Sequence, residues 1–265
     1  MKLAIAGKGG VGKTFTSATL SRLLAREGYS VLAVDADPNF NLAYALGIER
    51  EKADEITPLT DNDELIKEKT GVSSEESYSP VFNMTPTVDD IVDRFGVNTP
   101  GGVKLLVMGT VKGGGTGCMC GANALLRVLI QHILIQRGEI LVMDMVAGLE
   151  HLGRGTARRM DAMLVVVEPR MKSMDTIRRI LKLADEIEIK EIMAIGNKIS
   201  NKNEEEFIKN HMKKLGIPIV AMIPYDESVG EADMEGIPAV EHNPESPAIK
   251  AVENLMYTLI ERFNP

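Results

Sequence analysis

The stretch "KLAIAGKGGVGKT", Lys2 to Thr14, constrains the fold more than any other part of the chain. A short apolar run, Lys2–Ala6, feeds directly into a glycine-rich segment, and a helical pattern follows at once. The run reads as a buried strand. Leu20, Leu23 and Leu24 then share one face of a helix expected over Lys13 to Glu27, and Gly28 stands where such a helix stops. Gly7 to Thr14 satisfies G-x-x-x-x-G-K-[ST] in the context that gives the motif meaning, after a strand and at the opening of a helix.

The same rhythm continues. "SVLAVDADP" (Ser30–Pro38), "VKLLVMG" (Val103–Gly109), "EILVMDM" (Glu139–Met145), "DAMLVVVEP" (Asp161–Pro169), "EIMAIGNK" (Glu191–Lys198) and "IPIVAMIPY" (Ile217–Tyr225) are unbroken apolar runs, with helical patterns between most of them. Unbroken rather than alternating strands belong to a mostly parallel sheet covered by helices on both faces, an α/β architecture. From about Glu49 to Gly102 the rhythm lapses: "TDNDELIKEKTG" reads as a short polar helix and "SSEESYSP" as loop. The expectation is one domain over residues 1–265, with a variable insertion at about 49–102. A chain of 265 residues, 44% hydrophobic, is long enough for that core.

Composition narrows the partners. The formal charge of −8 opposes binding to a phosphate backbone, and 4% aromatics without tryptophan offer few stacking platforms, so no nucleic acid partner is expected. No apolar stretch approaches the ~18 residues of a membrane span, and the N-terminal run is shorter than a secretory core. Two cysteines cannot make a disulfide framework. A soluble cytoplasmic protein with no membrane partner is expected.

The glycine loop also carries chemistry. Glycines let successive backbone N–H groups turn inward around a phosphate, and the helix N-terminus adds partial positive charge. Gly9, Gly10, Val11 and Gly12 would form the cradle, with Phe15 just beyond it. Lys13 would reach the β- and γ-phosphates, and the Thr14 hydroxyl would ligate Mg²⁺. Bound ATP with Mg²⁺ is the expectation. Lys8 is a second lysine inside the loop.

With that lysine, "GKGGVGKT" resembles the deviant Walker A loop of the nitrogenase iron protein, MinD/ParA and related dimeric P-loop ATPases. The resemblance implies an ATP-bound homodimer in which Lys8 crosses to the partner's phosphates, as an arginine finger does. It implies that Asp37, in "DADP", helps position the attacking water, and that Asp35 lies near the Mg²⁺ shell. It implies that Asp144 in "LVMDMVAG" holds Mg²⁺ through water and that Gly148 responds to the γ-phosphate. It places Asn197 and Lys198 of "GNK", and Pro224 and Tyr225 of "IPYDE", at the adenine, with Asn197 on the base edge. Phe15 departs from the pattern, since relatives often carry threonine there.

Cys118 and Cys120, in "GTGCMCGA", are the chain's two cysteines. Placed at random they would fall two residues apart only about 1% of the time. They follow the third main strand and precede a helix expected near Ala122, so they belong at the carboxyl edge of the sheet, with the phosphate loop. A thiolate set suits Zn²⁺ or Ni²⁺. One chain supplies only two thiolates, and nothing places His132 or His151 beside them. A two-fold dimer doubles any residue on its axis, so two copies of C-x-C would complete a four-sulfur site.

The deviant loop, the C-x-C and "VMDMVAGLEHLGRGTA" together resemble the CooC-type ATPases. That resemblance implies a nickel-binding ATPase whose client is carbon monoxide dehydrogenase and whose work is maturation of its nickel–iron–sulfur cluster. Two alternatives remain: a MinD/ParA-type positioning ATPase and an iron–sulfur electron carrier. Against the first, Lys250, Glu253, Glu261 and Arg262 cancel one another on the tail, where a membrane helix wants a cationic face, and the stripe Ile249, Val252, Met256, Leu259 and Phe263 reads as core. Against the second, Met145–Gly148 contain no thiol after the fourth strand.

Overall fold

Each unbroken apolar run becomes a strand: β1 Lys2–Gly7, β2 Val31–Ala36, β4 Lys104–Val107, β5 Ile140–Met145, β6 Ala162–Val167, β7 Ile192–Ile199 and β8 Ile219–Pro224, with β3 Val97–Asn98 before β4. The computed structural model describes residues 1–37, 39–71, 83, 85, 87–109, 120–136, 138–145, 160–186, 188–189 and 191–265, leaving aside the side chains of 120–124 and 134–136. Among the described residues the strands form an eight-stranded sheet in the order β3-β4-β2-β5-β1-β6-β7-β8. β3 pairs antiparallel with β4, and the other pairings are parallel.

The helices are α1 Lys13–Arg26, α2 Leu42–Ala45, α3 Arg50–Asp54, α4 Asp63–Thr70, α5 Ile91–Phe95, α6 Cys120–Gln136, α7 Met171–Glu186, α8 Lys202–Leu215, α9 Glu227–Glu235, α10 Ala239–His242 and α11 Pro247–Phe263. Strand side chains alternate between two cores. Ala4, Leu32, Val34, Leu141, Met143 and Val165 meet α6, α7 and α8 on one face. Leu3, Ile5, Val31, Ala33, Val142 and Leu164 meet α1 and α11 on the other. Burial on both faces is why the strands show no alternation in sequence.

The tail stripe is core. Ile249, Val252, Met256 and Leu259 of α11 are buried beside Leu20 and Leu24 of α1, and Phe263 packs partly buried against the same cluster. α6 begins at Cys120, two residues before the expected start. Between Glu49 and Gly102 the expected polar helix is α4, whose Leu65 and Ile66 are buried. β3 was not legible there, because two residues are too few to carry a period. No helix among the described residues is long and apolar enough to cross a membrane.

β1 lies between β5 and β6, with β2 beyond β5. The carboxyl ends of β1, β2 and β5 therefore gather at one edge, where ligands collect in open parallel sheets.

Candidate active site

The loop after β1 is built to leave donors free. α1 starts behind Gly12, which is left-handed at φ 97° and gives no side-chain cap, and the first turn of α1 holds no acidic residue. Its first N–H groups thus lack the acceptor that a Ser, Asp or Thr cap provides, which makes the helix start an anion site. Glycine is required at position 12 twice over, by φ and by space, since a Cβ there would stand 2.1 Å from Asn197 Nδ2. Within the loop the Val11 N–H donates to the Lys8 carbonyl at 3.3 Å.

Two pairs face this cradle. Lys13 is 5% exposed, and its Nζ lies 3.6 Å from Asp37 Oδ2. The Thr14 hydroxyl donates to Asp144 Oδ2 at 2.7 Å, while Asp144 Oδ1 is buried with no partner among the described residues. Asp35 and Asp144 are direct partners in the register of β2 and β5, so their side chains project to the same side. Both are fully buried. Asp35 Oδ1 accepts the Asp37 N–H and Oδ2 the Leu42 N–H, each at 3.0 Å, so this carboxylate shapes the turn from β2 to α2. Asp37 Oδ1 in turn accepts the backbone and side-chain N–H groups of Asn39.

Burial, and then the neighbouring Asp144 carboxylate, push Asp35 up to about 7. Burial pushes Asp144 up to about 6, partly opposed by the Thr14 hydroxyl and Lys13. The sign follows from linkage: the folded chain holds protons that the unfolded chain has released from near pH 3.8 upward, so stability falls as pH rises toward 7. The metal-free protein should lose on the order of a few kcal/mol across that interval. Thermal melts in a chelator, from acid to neutral pH, check this. Asp35→Asn should flatten the slope, and a wild-type melting temperature that rises toward pH 7 would contradict the account.

An unbonded buried carboxylate oxygen beside a hydroxyl is an all-oxygen donor set that suits a hard cation. Thr14 and Asp144 are the residues that would hold Mg²⁺, with Asp35 beside them. When bound, the ion neutralises charge on the β- and γ-phosphate oxygens.

The other expected residues fall around the loop. Asn197 is 4% exposed and donates from Nδ2 to the Val11 carbonyl at 2.8 Å, and Lys198 donates from Nζ to the Gly10 carbonyl at 2.7 Å. These bonds run to the phosphate loop, which the short "GNK" motif alone could not indicate. Tyr225 follows Pro224 at the end of β8 and is 58% exposed, with its N–H on the Ile199 carbonyl. Phe15, expected at the nucleotide, is partly buried against the core cluster that holds Val11 and Leu20. Lys8 is half-buried, Gly9 and Gly10 are exposed, and the Lys8 side chain bonds to no other described residue. Ser17, one turn beyond Lys13, was missed by motif reading; it is fully buried, and its hydroxyl lowers the proton affinity of Asp144 although no hydrogen bond of ordinary length joins them. Cys118, Gly148, His151 and Pro38 lie outside the described residues, and of Cys120 only its place at the start of α6 is described.

A phosphate loop between a central strand and its helix, opposed by a Lys–Asp and a Thr–Asp pair, defines a P-loop nucleotide hydrolase. The chain belongs to the family of the CobQ/CobB/MinD/ParA nucleotide-binding domain, whose model matches residues 2–239. It is an ATPase of the MinD/ParA type, working with ATP and Mg²⁺. A Methanocaldococcus jannaschii protein named as an uncharacterized ATP-binding protein is 42% identical over 265 residues, covering 100% of this chain and 99% of that one. The carbon monoxide dehydrogenase accessory protein CooC of Rhodospirillum rubrum is 40% identical over 266 residues, covering 100% of this chain and 98% of that one. Among solved structures, MinD of Pyrococcus horikoshii complexed with Mg-ADP matches with a TM-score of 0.69 at 22% identity, over 97% of this chain and 95% of that one. A ParA family ATPase from Chlorobium tepidum matches at 0.70 and 19% identity, over 97% and 98%. At those identities the likeness is one of fold.

Proposed function

We propose that this chain is a nickel-binding accessory ATPase for maturation of the nickel–iron–sulfur cluster of carbon monoxide dehydrogenase. It works as one ATPase domain that dimerises with ATP bound. The observation that carries the reading is the full-length 40% identity to a carbon monoxide dehydrogenase accessory protein, in a chain that keeps a C-x-C pair. In this reading Lys13 holds the β- and γ-phosphates, Thr14 and Asp144 hold Mg²⁺ with Asp35 beside them, and Asp37 orients the attacking water. Lys8 reaches the partner's phosphates. Tyr225, Pro224 and the remaining N–H of Asn197 meet the base.

Nickel, or zinc in its place, is cargo held by Cys118 and Cys120. Cys120 opens α6, the helix that follows β4, and β4 runs parallel to β2; a helix after a parallel strand starts on the carboxyl side of the sheet, which supports a place near the phosphate loop. His132 lies twelve residues further along α6, ~18 Å away along the helix axis, so it cannot complete a site with Cys120 of its own chain. A second copy of the C-x-C supplies the missing ligands, and closure of the dimer around ATP brings the two copies together.

The experiment is a metal analysis of the double variant Cys118→Ala/Cys120→Ala after loading with Ni²⁺. Stoichiometric metal should disappear while ATP affinity stays within about twofold of wild type. A variant that retains its nickel would remove the cargo site from these residues.

A further inference from the structure

Asn197 and Lys198 stand at a break in β7. Its pairing with β8 shifts register between Gly196 and Ile199, and Lys198 is left-handed at φ 58°. A regular strand would send neighbouring side chains to opposite faces, and a bulge re-aims them. A non-glycine residue keeps a left-handed backbone only where its surroundings over-determine it. Here both re-aimed side chains end on one short loop, Asn197 Nδ2 on the Val11 carbonyl at 2.8 Å and Lys198 Nζ on the Gly10 carbonyl at 2.7 Å. The Asn197 amide is itself oriented, because its Oδ1 accepts the Lys198 N–H at 2.8 Å.

A trans peptide sends its carbonyl and its N–H in opposite directions. Drawing the Gly10 and Val11 carbonyls toward β7 therefore turns the Val11 and Gly12 N–H groups to the other side of the loop. The Val11 N–H closes the turn onto the Lys8 carbonyl at 3.3 Å, so the peptide that Lys198 holds is also the one that fixes the backbone of Lys8. The Gly12 N–H belongs to the peptide that Asn197 holds, immediately before the uncapped start of α1.

We propose that Asn197 and Lys198 are positioning residues for the phosphate loop, setting the orientation of its Gly10 and Val11 peptides and, through the turn, the placement of Lys8. This rests on the reading of Gly7–Thr14 as the triphosphate site. It differs from base recognition, because a brace on the loop acts on a ligand that has no base at all.

Inorganic tripolyphosphate with Mg²⁺ separates the two. Lys198 is exposed, so Lys198→Ala leaves the core intact. It should weaken Mg-tripolyphosphate and Mg-ATP by the same factor, ~10-fold, the scale of one lost charged hydrogen bond. Steady-state kinetics should show kcat falling as KM rises, since the Lys8 backbone loosens too; loss of a base contact alone raises KM at constant kcat. Lys198→Arg should recover both affinities to within about threefold. Asn197→Ala should also weaken Mg-tripolyphosphate, and Mg-ATP by somewhat more because its remaining N–H meets the base, with a thermal melt to confirm that it folds. Unchanged tripolyphosphate affinity in Lys198→Ala, whether ATP weakens or not, overturns the proposal. A wild-type protein that binds neither ligand overturns the triphosphate reading as well, so the two failures are distinct.

Discussion

Replacing Lys13 with alanine is expected to reduce ATP hydrolysis by ~10²–10³, the scale seen when one preorganised donor to developing charge is removed. The reason lies in where this lysine sits. Its ammonium is almost wholly buried, 3.6 Å from Asp37 Oδ2, and its charge opposes the raised proton affinity of Asp144. In a site so dry, charge interactions are much stronger than in water. Removing Lys13 leaves Asp37 and Asp144 without its counter-charge beside an incoming triphosphate, so attraction is lost and repulsion gained together. Nucleotide affinity should fall by ~10–100-fold as a separate effect, from the lost charged hydrogen bonds to the β- and γ-phosphates. Calorimetric ATP binding and steady-state turnover check both, with a thermal melt as the control for folding. A variant that turns over within about tenfold of wild type would show that the chemistry does not use this lysine.

The second large effect is expected at Lys8, and its pattern differs. Lys8 is half-buried, flanked by the exposed Gly9 and Gly10, and its side chain has no bond to another described residue. A charge delivered in trans contributes on the scale of an arginine finger, ~10³ or more in turnover. Lys8→Ala should bind ATP nearly as well as wild type while a single chain holds it, yet lose ATP-dependent dimerisation and most turnover. Light scattering with and without ATP, paired with turnover across protein concentration, reads this directly. A variant that dimerises with ATP and hydrolyses it normally would remove the partner-site role. Affinity should distinguish the two lysines, because in the proposed mechanism Lys13 acts on its own chain's nucleotide and Lys8 on its partner's.

Much of this was legible in the sequence because its signals are local. Glycine spacing specifies a loop, unbroken apolar runs specify buried strands, and a Gly at position 28 specifies a helix end; in the fold that glycine has φ 90°. What could not be read was whatever depends on strands distant in sequence. Asp35 and Asp144 meet only because β5 inserts between β1 and β2, and that adjacency adds to burial in raising the proton affinity of Asp35. Asn197 and Lys198 reach the phosphate loop only through a bulge in β7, and a bulge has no signature in an apolar run. β3 escaped notice because a two-residue edge strand has no period. Ser17 escaped because it lies outside the motif, although its place one turn beyond Lys13 on the same helix was available from spacing.

In the proposed mechanism, two copies of Cys118 and Cys120 make one metal site when ATP closes the dimer. The most direct test is a titration of the wild-type protein with Ni²⁺, followed by mass measurement in the presence and absence of ATP. The account predicts one Ni²⁺ per two chains in the ATP-bound dimer, with sulfur-to-metal charge-transfer absorption that vanishes in the Cys118→Ala/Cys120→Ala variant. One Ni²⁺ per chain in a monomer, or a dimer-bound metal that survives the loss of both cysteines, would contradict it.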